Sequence, residues 1–311
     1  MEFLKDFRAP MEPLSCTKLL PDSNYLYQVK WDGIRLIAII NKGKVNLINK
    51  HLRERNNQYA ELHDLPAIIK AKTAVLDGEI VVLKDGKPSF PSVMKRDSCI
   101  NEKQVEQLQK SRPINYMVFD LLFLNGENLM YMPLSQRQKY MAKIIAEKDY
   151  LHLVENFSDG KALFDVVESS GMEGVIAKRH DSPYIQGKKH QAWFKIKCLR
   201  MQNCLLGGYT LKGKRVNSLL LGAYRDDSFF YIGKAANGLD SECQDILSQQ
   251  LPVLETTKCP FANLSSSSSN IHFIEPYLGV MVEYLEWTEN LKLRFPVIKQ
   301  FAVLKQTECV F

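Results

Sequence analysis

Tyr27-Gln28-Val29-Lys30-Trp31-Asp32-Gly33-Ile34-Arg35 is the stretch on which the reading of this chain turns. An apolar, strand-like run ends in Lys30, Asp32 follows two residues later, and Gly33 lets the backbone turn and come close to a ligand. A lysine amine so placed is a candidate nucleophile. Taken alone, however, Lys-x-Asp-Gly-x-Arg suits a charged hairpin equally well.

Four later stretches bear on that choice: Leu76-Asp77-Gly78-Glu79, Phe119-Asp120 within a strand-like run, Glu173-Gly174-Val175-Ile176-Ala177-Lys178, and Trp193-Phe194-Lys195-Ile196-Lys197. In this order they resemble the covalent nucleotidyltransferase superfamily and, within it, the ATP-dependent polynucleotide ligases. The nearest likeness is to the ligase module of bacterial end-joining DNA ligases. It covers nearly the whole chain, and the ordered set is specific where each member is not. The resemblance implies an α+β fold: an antiparallel-sheet adenylation (nucleotidyltransferase) domain over residues 1–199, then a small β-barrel oligonucleotide-binding (OB) fold over 200–311.

The bulk properties agree. A chain of 311 residues and 35.7 kDa can hold two domains with cores of their own. With 45% hydrophobic and 24% charged residues it reads as an ordinary soluble globular protein. No apolar run approaches membrane-spanning length, and Met1-Glu2-Phe3-Leu4-Lys5-Asp6 does not open a secretory signal. The expected location is therefore cytoplasmic and, for a bacterial DNA enzyme, nucleoid-associated. A net charge of +6 suits contact with phosphate backbone but is shared by many metabolic enzymes. The seven cysteines form no CxxC pair and read as reduced thiols, without a zinc site or disulfide framework.

Along the chain, residues 7–21 carry three prolines and read as a surface wrap. Strands are predicted at 25–30, 34–40 and 45–48, the nucleophile candidate lying at the first bend, and helix-like spacing follows at 59–69 despite Pro66. Further strands are predicted at 74–83, 114–122, 174–178 and 192–197, helices at 101–109, 133–147 and 161–169, and a loop from Pro88 to Met94. Beyond Met201 short strands at 204–209, 216–224, 229–234 and 280–286, a β-like stretch at 291–304 and a helix at 239–250 suggest a small barrel. The loop at 252–269 ends in five serines.

Enzymes of the resembled family attack the α-phosphorus of ATP with lysine, pass AMP to a DNA 5′ phosphate, and let the 3′ hydroxyl displace it. The match puts Lys30 in the covalent step, Asp32 as an orienting group, and Lys178 and Lys197 as cations easing deprotonation of an amine whose ordinary pKa is about 10.4. Glu79 falls where the family contacts ribose or metal, and Glu173 where it supports the divalent ion, Mg²⁺ with Mn²⁺ as the alternative. Arg35 reads as a contact to ribose or terminal phosphate, or as a brace of the fold. Phe119 matches the aromatic stacked on adenine, although the same residue suits strand core, and Val175 is expected on adenine's opposite face, with Val29 beside it. Gln28 takes the place of a base-reading glutamate, keeping an acceptor without its charge. Lys195 and Lys197 alternate with Phe194 and Ile196, so both lysines face the phosphates.

Two departures stand out. A second, ribose-contacting arginine is replaced around Asn49-Lys50-His51, leaving Lys50 to supply charge without a guanidinium fork. The last family segment begins at Leu293-Arg294-Phe295-Pro296, but its arginine-x-aspartate-lysine falls on Ala302, Leu304 and Lys305, keeping only the lysine. That segment orients the pyrophosphate leaving group, so self-adenylylation is the step put in doubt; Arg294 or Lys299 is the candidate substitute cation. The reading is an ATP-dependent DNA ligase acting as a monomer on nicked or broken duplex DNA with a Ku-like end-binding partner. The alternatives are an RNA ligase or capping guanylyltransferase of the same superfamily, and a nucleic-acid-binding scaffold with impaired catalysis. The intact Lys30, Glu79, Glu173, Lys178 and Lys197 weigh against the scaffold.

Overall fold

The computed structural model describes residues 7–20, 24–264 and 270–311; the five serines and Pro21 lie outside the described residues. The chain divides into two compact units, Met1–Cys198 and Leu199–Phe311. The first contains β1 (Glu12–Cys16), β2 (Tyr25–Val29), β3 (Ile34–Asn41), β4 (Lys44–Asn49), β5 (Thr73–Lys84), β6 (Lys87–Pro88), β7 (Ile114–Leu124), β8 (Glu127–Asn128), β9 (Leu151–Leu153), β10 (Gly174–Arg179) and β11 (Lys189–Lys197). Among the described residues these make a four-stranded sheet ordered β1-β11-β10-β2 and a seven-stranded sheet ordered β4-β3-β5-β7-β8, with β6 paired to β5 and β9 to β7. Among the described residues no helix is long and apolar enough to cross a membrane.

Strand alternation decides which side chains meet. On β3, Leu36, Ala38 and Ile40 enter a core shared with Leu62, Leu65 and Met141, while Ile37 and Ile39 pack between the sheets with Trp193 and Tyr184. A third cluster, Tyr27, Leu163, Val167, Val175, Ala177 and Ile196, lies behind the four-stranded sheet. The β5/β7 register shifts between Asp77, opposite Asp120, and Gly78, opposite Val118, so Phe119 is an inserted bulge residue. Bulges re-aim side chains, and this one puts Phe119 on the same side as Trp193, with ring centroids 6.2 Å apart.

Several local expectations are revised. The opening segment is part of the core: Phe7 and Met11 are buried, and β1 pairs in parallel with β11 at the sheet edge, where Pro13 breaks no central ladder. Residues expected to loop from Pro88 form the helix Phe90–Asp97, because Pro91 lies in its first turn, where no amide donor is required. The helical pattern at 59–69 resolves into a 3-10 turn, Ala60–Asp64, and one helical turn, Leu65–Ile68, restarted at Pro66. Longer helices keep close to their predicted spans: Glu102–Ser111, Leu134–Ile144 and Gly160–Ser169, the first and last capped by Asn101 and Asp159.

The second unit is a six-stranded sheet of β12 (Arg200–Lys212), β13 (Arg215–Arg225), β14 (Ser228–Ala235), β15 (Ile271–Phe273), β16 (Gly279–Tyr284) and β17 (Val297–Ala302), ordered β14-β13-β12-β16-β17 with β15 on β12. A bridge from Asn237 to Val297 joins the ends of that order and closes a barrel. The helix Ser241–Gln250, capped by Asp240, packs on β13. Within the expected β-like stretch 291–304, only β17 is a strand. The positions lacking the family's charges serve packing: Ala302 pairs with Gly279, and Leu304 packs beside Leu205, Phe261 and Cys309. Both candidate substitutes are held by carboxylates of the same unit, Arg294 by Glu286 at 2.7 Å and Lys299 by Glu283 at 3.5 Å. Lys305 is exposed at the head of the turn Gln306–Glu308.

Candidate active site

A cleft of about 520 Å³ opens in the first unit between the facing sides of its two sheets. The four-stranded sheet contributes successive rows across β2, β10 and β11. Gln28, Ile176 and Lys195 are lateral partners, and Leu26, Lys178 and Trp193 form the next row. On the far side of the Gln28 row, the Lys30 amide donates to Gly174 O at 2.9 Å, and Gly174 pairs with Lys197. The seven-stranded sheet contributes Arg35, Glu79 and Phe119. Lys30, Arg35, Lys50, Arg53, Arg55, Lys178 and Lys195 line the cleft against the carboxylates of Glu12, Glu79 and Asp97, a balance that favours a polyanion.

Two glycines make the Lys30 geometry attainable. A Cβ on Gly33 would sit 2.1 Å from Ile80 O, so only glycine lets the β2–β3 turn lie against β5. Gly174 has φ +146°, and a Cβ there would meet Ile196 O at 2.2 Å. Lys30 Nζ is ion-paired with Glu173 Oε2, while Lys197 Nζ holds Glu173 Oε1 at 2.9 Å. Burial works against the Glu173 charge, but Lys30 and Lys197 outweigh it and keep the carboxyl below its ordinary range. Glu173 therefore stays ionised, tethering the amine beside a second cation. Lys197 and Glu173 stand behind Lys30 and are outside the cleft lining, as is Asp32 in the turn.

Arg35 is largely committed to the fold. Its Nε and Nη2 grip Asp77 at 2.7 and 2.5 Å, and Tyr184 donates to the same carboxylate at 2.7 Å. Burial works the other way, yet Asp77 holds the guanidinium above its ordinary pKa range. The guanidinium also lies 5.0 Å from the Phe119 ring centroid. One half of the fork thus braces β3 against β5, leaving Nη1 as the remaining donor edge. Burial pushes the Glu79 carboxyl up to about 8, with Lys30 and Arg35 pulling it down.

Lys178 does not adjoin Lys30. The register sets it opposite Leu26, four residues along β2, with Nζ 4.2 Å from the ring centroids of both Phe119 and Trp193. Burial pushes its pKa down to about 7, and Nζ is buried without a hydrogen-bond partner. The cation next to the nucleophile candidate is Lys197, reached through Glu173. Since the folded-state pKa of Lys178 lies below 10.5, the unfolded chain holds a proton that the folded chain lacks between about pH 7 and 10.5. Stability from this group therefore rises with pH across that window. Lys178→Met is expected to raise Tm by about 5 °C at pH 6 after allowing for the lost cation–π contacts, the gain fading to nothing near pH 10.5. Thermal melts at pH 6 and pH 10 check this, and a lower Tm at pH 6 contradicts it.

The structure also moves two expected contacts. Val175 points into the cluster behind β10, fully buried, and Ile176 takes the cleft-facing place, because strand side chains alternate. Lys50 does line the mouth, but the loop after β4 folds back and brings Arg53 and Arg55 there too, so guanidinium groups are present after all. Asn49 organises that return: its Oδ1 accepts the amides of His51 and Arg53 at 3.0 and 3.1 Å. Arg55 is paired with Asp97 at 2.8 Å, whereas Arg53 is exposed. Trp193 is legible in retrospect, since it precedes Lys195 and Lys197 by the same two-residue step. Asn156 carries no such signal; the Tyr27–Phe157 bridge brings it to Gln28, where it accepts from Nε2 at 2.8 Å.

Among the described residues no three His, Cys, Asp or Glu side chains converge as a metal cage. Glu79 and Glu173, all-oxygen donors few in number, fit a hard ion that keeps waters and takes ligand phosphate oxygens, the habit of Mg²⁺. Glu79 is the freer of the two, because both Glu173 oxygens are engaged by lysines.

Comparison with known proteins places this architecture. The ATP dependent DNA ligase domain matches residues 12–197, and the ATP dependent DNA ligase C terminal region matches residues 212–302. The multifunctional non-homologous end joining DNA repair protein LigD of Mycobacterium tuberculosis is 30% identical over 283 residues, covering 88% of this chain and 36% of that protein. This chain thus spans about a third of that relative's length. The SPbeta prophage-derived DNA ligase-like protein LigB of Bacillus subtilis is 28% identical over 96% of this chain and 100% of its own. The solved mycobacterial DNA ligase D complexed with ATP and MES has a TM-score of 0.55 and 29% identity, with 97% of each chain covered. With 97% of this chain covered, both units have counterparts there. The chain belongs to the ATP-dependent DNA ligase family.

Proposed function

We propose that this chain seals 5′-phosphate/3′-hydroxyl nicks in duplex DNA through a lysyl-AMP intermediate on Lys30. The observation that carries this is the Lys30–Glu173–Lys197 array beside a cation-lined cleft with an aromatic wall at Phe119. The Lys30 ammonium loses one proton to solvent, Nζ bonds to the α-phosphorus as the bond to the bridging oxygen breaks, pyrophosphate leaves with that electron pair, and a second proton leaves Nζ to solvent to give a neutral phosphoramidate. Adenylylation removes the positive charge of Lys30 and releases Glu173 Oε2, while Lys197 keeps Oε1. Glu79 and Glu173 would hold Mg²⁺, which when bound neutralises charge on the phosphates. Ile176 and Phe119 offer apolar faces to the base, and Gln28 a polar edge. Lys195, Arg53 and Nη1 of Arg35 are cations for the phosphates and ribose; burial, then Lys197 and Lys30, lowers the Lys195 pKa.

The names of the relatives support a place in DNA end joining; a Ku-like partner that bridges ends, and a chain that acts as a monomer inside the cell, belong to the proposal itself. Nicked duplex DNA and nicked RNA, each with and without a pre-installed 5′-AMP, provide the test. ATP- and Mg²⁺-dependent sealing of DNA at a rate at least about tenfold above RNA is expected. Sealing of neither substrate in either form contradicts the proposal. Sealing confined to pre-adenylylated DNA locates the defect in the first step, where Ala302 and Leu304 replace charged residues.

A further inference from the structure

The polar group at the base end of the cleft is a neutral amide with an invertible support. Gln28 is buried, lines the cleft and lies two residues before Lys30 on the same strand face, roughly 7 Å along β2. A nucleotide whose α-phosphorus meets Lys30 and whose base lies between Ile176 and Phe119 presents its base edge to this amide. Gln28 Nε2 donates to Asn156 Oδ1 at 2.8 Å, Gln138 Nε2 donates to the same oxygen at 3.2 Å, and Asn156 Nδ2 donates to Gln138 Oε1 at 3.1 Å.

Every member of this relay is a primary amide, in which oxygen and nitrogen exchange places on a half-turn. Turning all three preserves the contacts: Asn156 Nδ2 then donates to Gln28 Oε1 and to Gln138 Oε1, and Asn156 Oδ1 accepts from Gln138 Nε2. One arrangement leaves the Gln28 oxygen for a ligand, accepting from a 6-amino group. The other leaves the Gln28 NH₂, donating to a 6-oxo group. A carboxylate at position 28 or 156 would accept only and abolish the choice. In the next row, Lys178 Nζ and Trp193 Nε1 are buried donors without an acceptor, so nothing on that side favours an amino over an oxo substituent.

We infer that the cleft takes 6-oxopurine as well as 6-aminopurine nucleoside triphosphates, so that Lys30 accepts GMP from GTP as it accepts AMP from ATP. The inference rests on the covalent-lysine reading. The bond changes are the same for both: Nζ to the α-phosphorus forms, the α-phosphorus to bridging oxygen bond breaks, and pyrophosphate departs with the electrons.

The test labels the full chain with α-labelled ATP or GTP and Mg²⁺, and measures Kd of each nucleotide for Lys30→Ala, which binds without turnover. Wild-type rates for the two nucleotides are expected within about tenfold of each other. Asn156→Asp, an exposed change that pins the relay with the Gln28 oxygen toward the ligand, is expected to shift the ratio toward ATP by about tenfold or more, and Gln28→Glu by more still. Label from ATP alone, with GTP at least about 10³-fold poorer, overturns the inference and leaves the ligase reading intact. Comparable labelling that Asn156→Asp leaves unchanged overturns the relay as its cause. Label from neither nucleotide, together with no sealing of a pre-adenylylated nick, overturns the covalent reading, and the Kd ratio for Lys30→Ala then decides purine selectivity by itself.

Discussion

Lys30→Ala is expected to lose the covalent nucleotide adduct, a fall on the order of 10⁴-fold or more, because Lys197, the other amine held by Glu173, lies outside the cleft lining. Lys195 lines the cleft but lies in the next row, paired with Ile176, and Lys178 is clasped between two rings further on. The variant should still fold. Glu173 keeps its 2.9 Å contact with Lys197, and the Lys30 side chain is 20% exposed, so the lost pair is worth about 1 kcal/mol and a few degrees of Tm. Sealing of a nick that already carries 5′-AMP should persist, since that step does not require the amine. Denaturing gels with labelled ATP, melts and pre-adenylylated nicks separate these effects. Retained label contradicts the assignment of Lys30, and loss of folding would void the comparison with the parent.

Arg137→Ala is expected to destabilise the first unit by about 3–5 kcal/mol, lowering Tm by about 10 °C or more. Arg137 and Asp120 are both fully buried and joined by two bonds of 2.8 Å; Arg137 also donates to Met132 O at 2.5 Å and Ser182 O at 2.9 Å. Removing the guanidinium leaves the buried Asp120 carboxylate with only the Leu121 amide at 2.8 Å and takes the donor from Met132 O, while Ser182 O keeps the Leu134 amide at 2.9 Å. Asp120 adjoins the bulge residue Phe119, so ATP binding should weaken along with stability. The double replacement Arg137→Met with Asp120→Leu should recover part of the loss, because it leaves no buried charge unpaired. Urea unfolding and thermal melts of the two variants beside the parent are the check, and a Tm shift under about 2 °C for Arg137→Ala rejects this role.

Much of the cleft was legible because short-range pattern and strand alternation carry it. Lys195 and Lys197 share the side opposite Phe194 and Ile196, as their spacing requires, and Lys30 ends a strand as its apolar run requires. The same rule, applied from Lys178, would have chosen Ile176 over Val175. What stayed hidden depends on distant partners. Of the two readings of Arg35, the brace depends on Asp77 and Tyr184, which hold Nε and Nη2 from distant strands and loops and leave Nη1 for a ligand. Arg53 enters the cleft only because Asn49 turns the chain back after β4. Asp120 stands in the quoted Phe119-Asp120 pair, but nothing in the pattern of the helix Leu134–Ile144 marks Arg137 as its partner. Proline misled at residues 88–94, since its position in the helix's first turn, not its presence, decides whether a helix forms.

The most direct measurement is to incubate the wild-type protein with α-labelled ATP and Mg²⁺, denature it, digest it, and identify the peptide that carries the label. The predicted result is one acid-labile AMP adduct on Lys30, discharged by pyrophosphate or nicked DNA. A label on any other residue, or a protein that binds ATP and seals nicks without any adduct, would contradict the account.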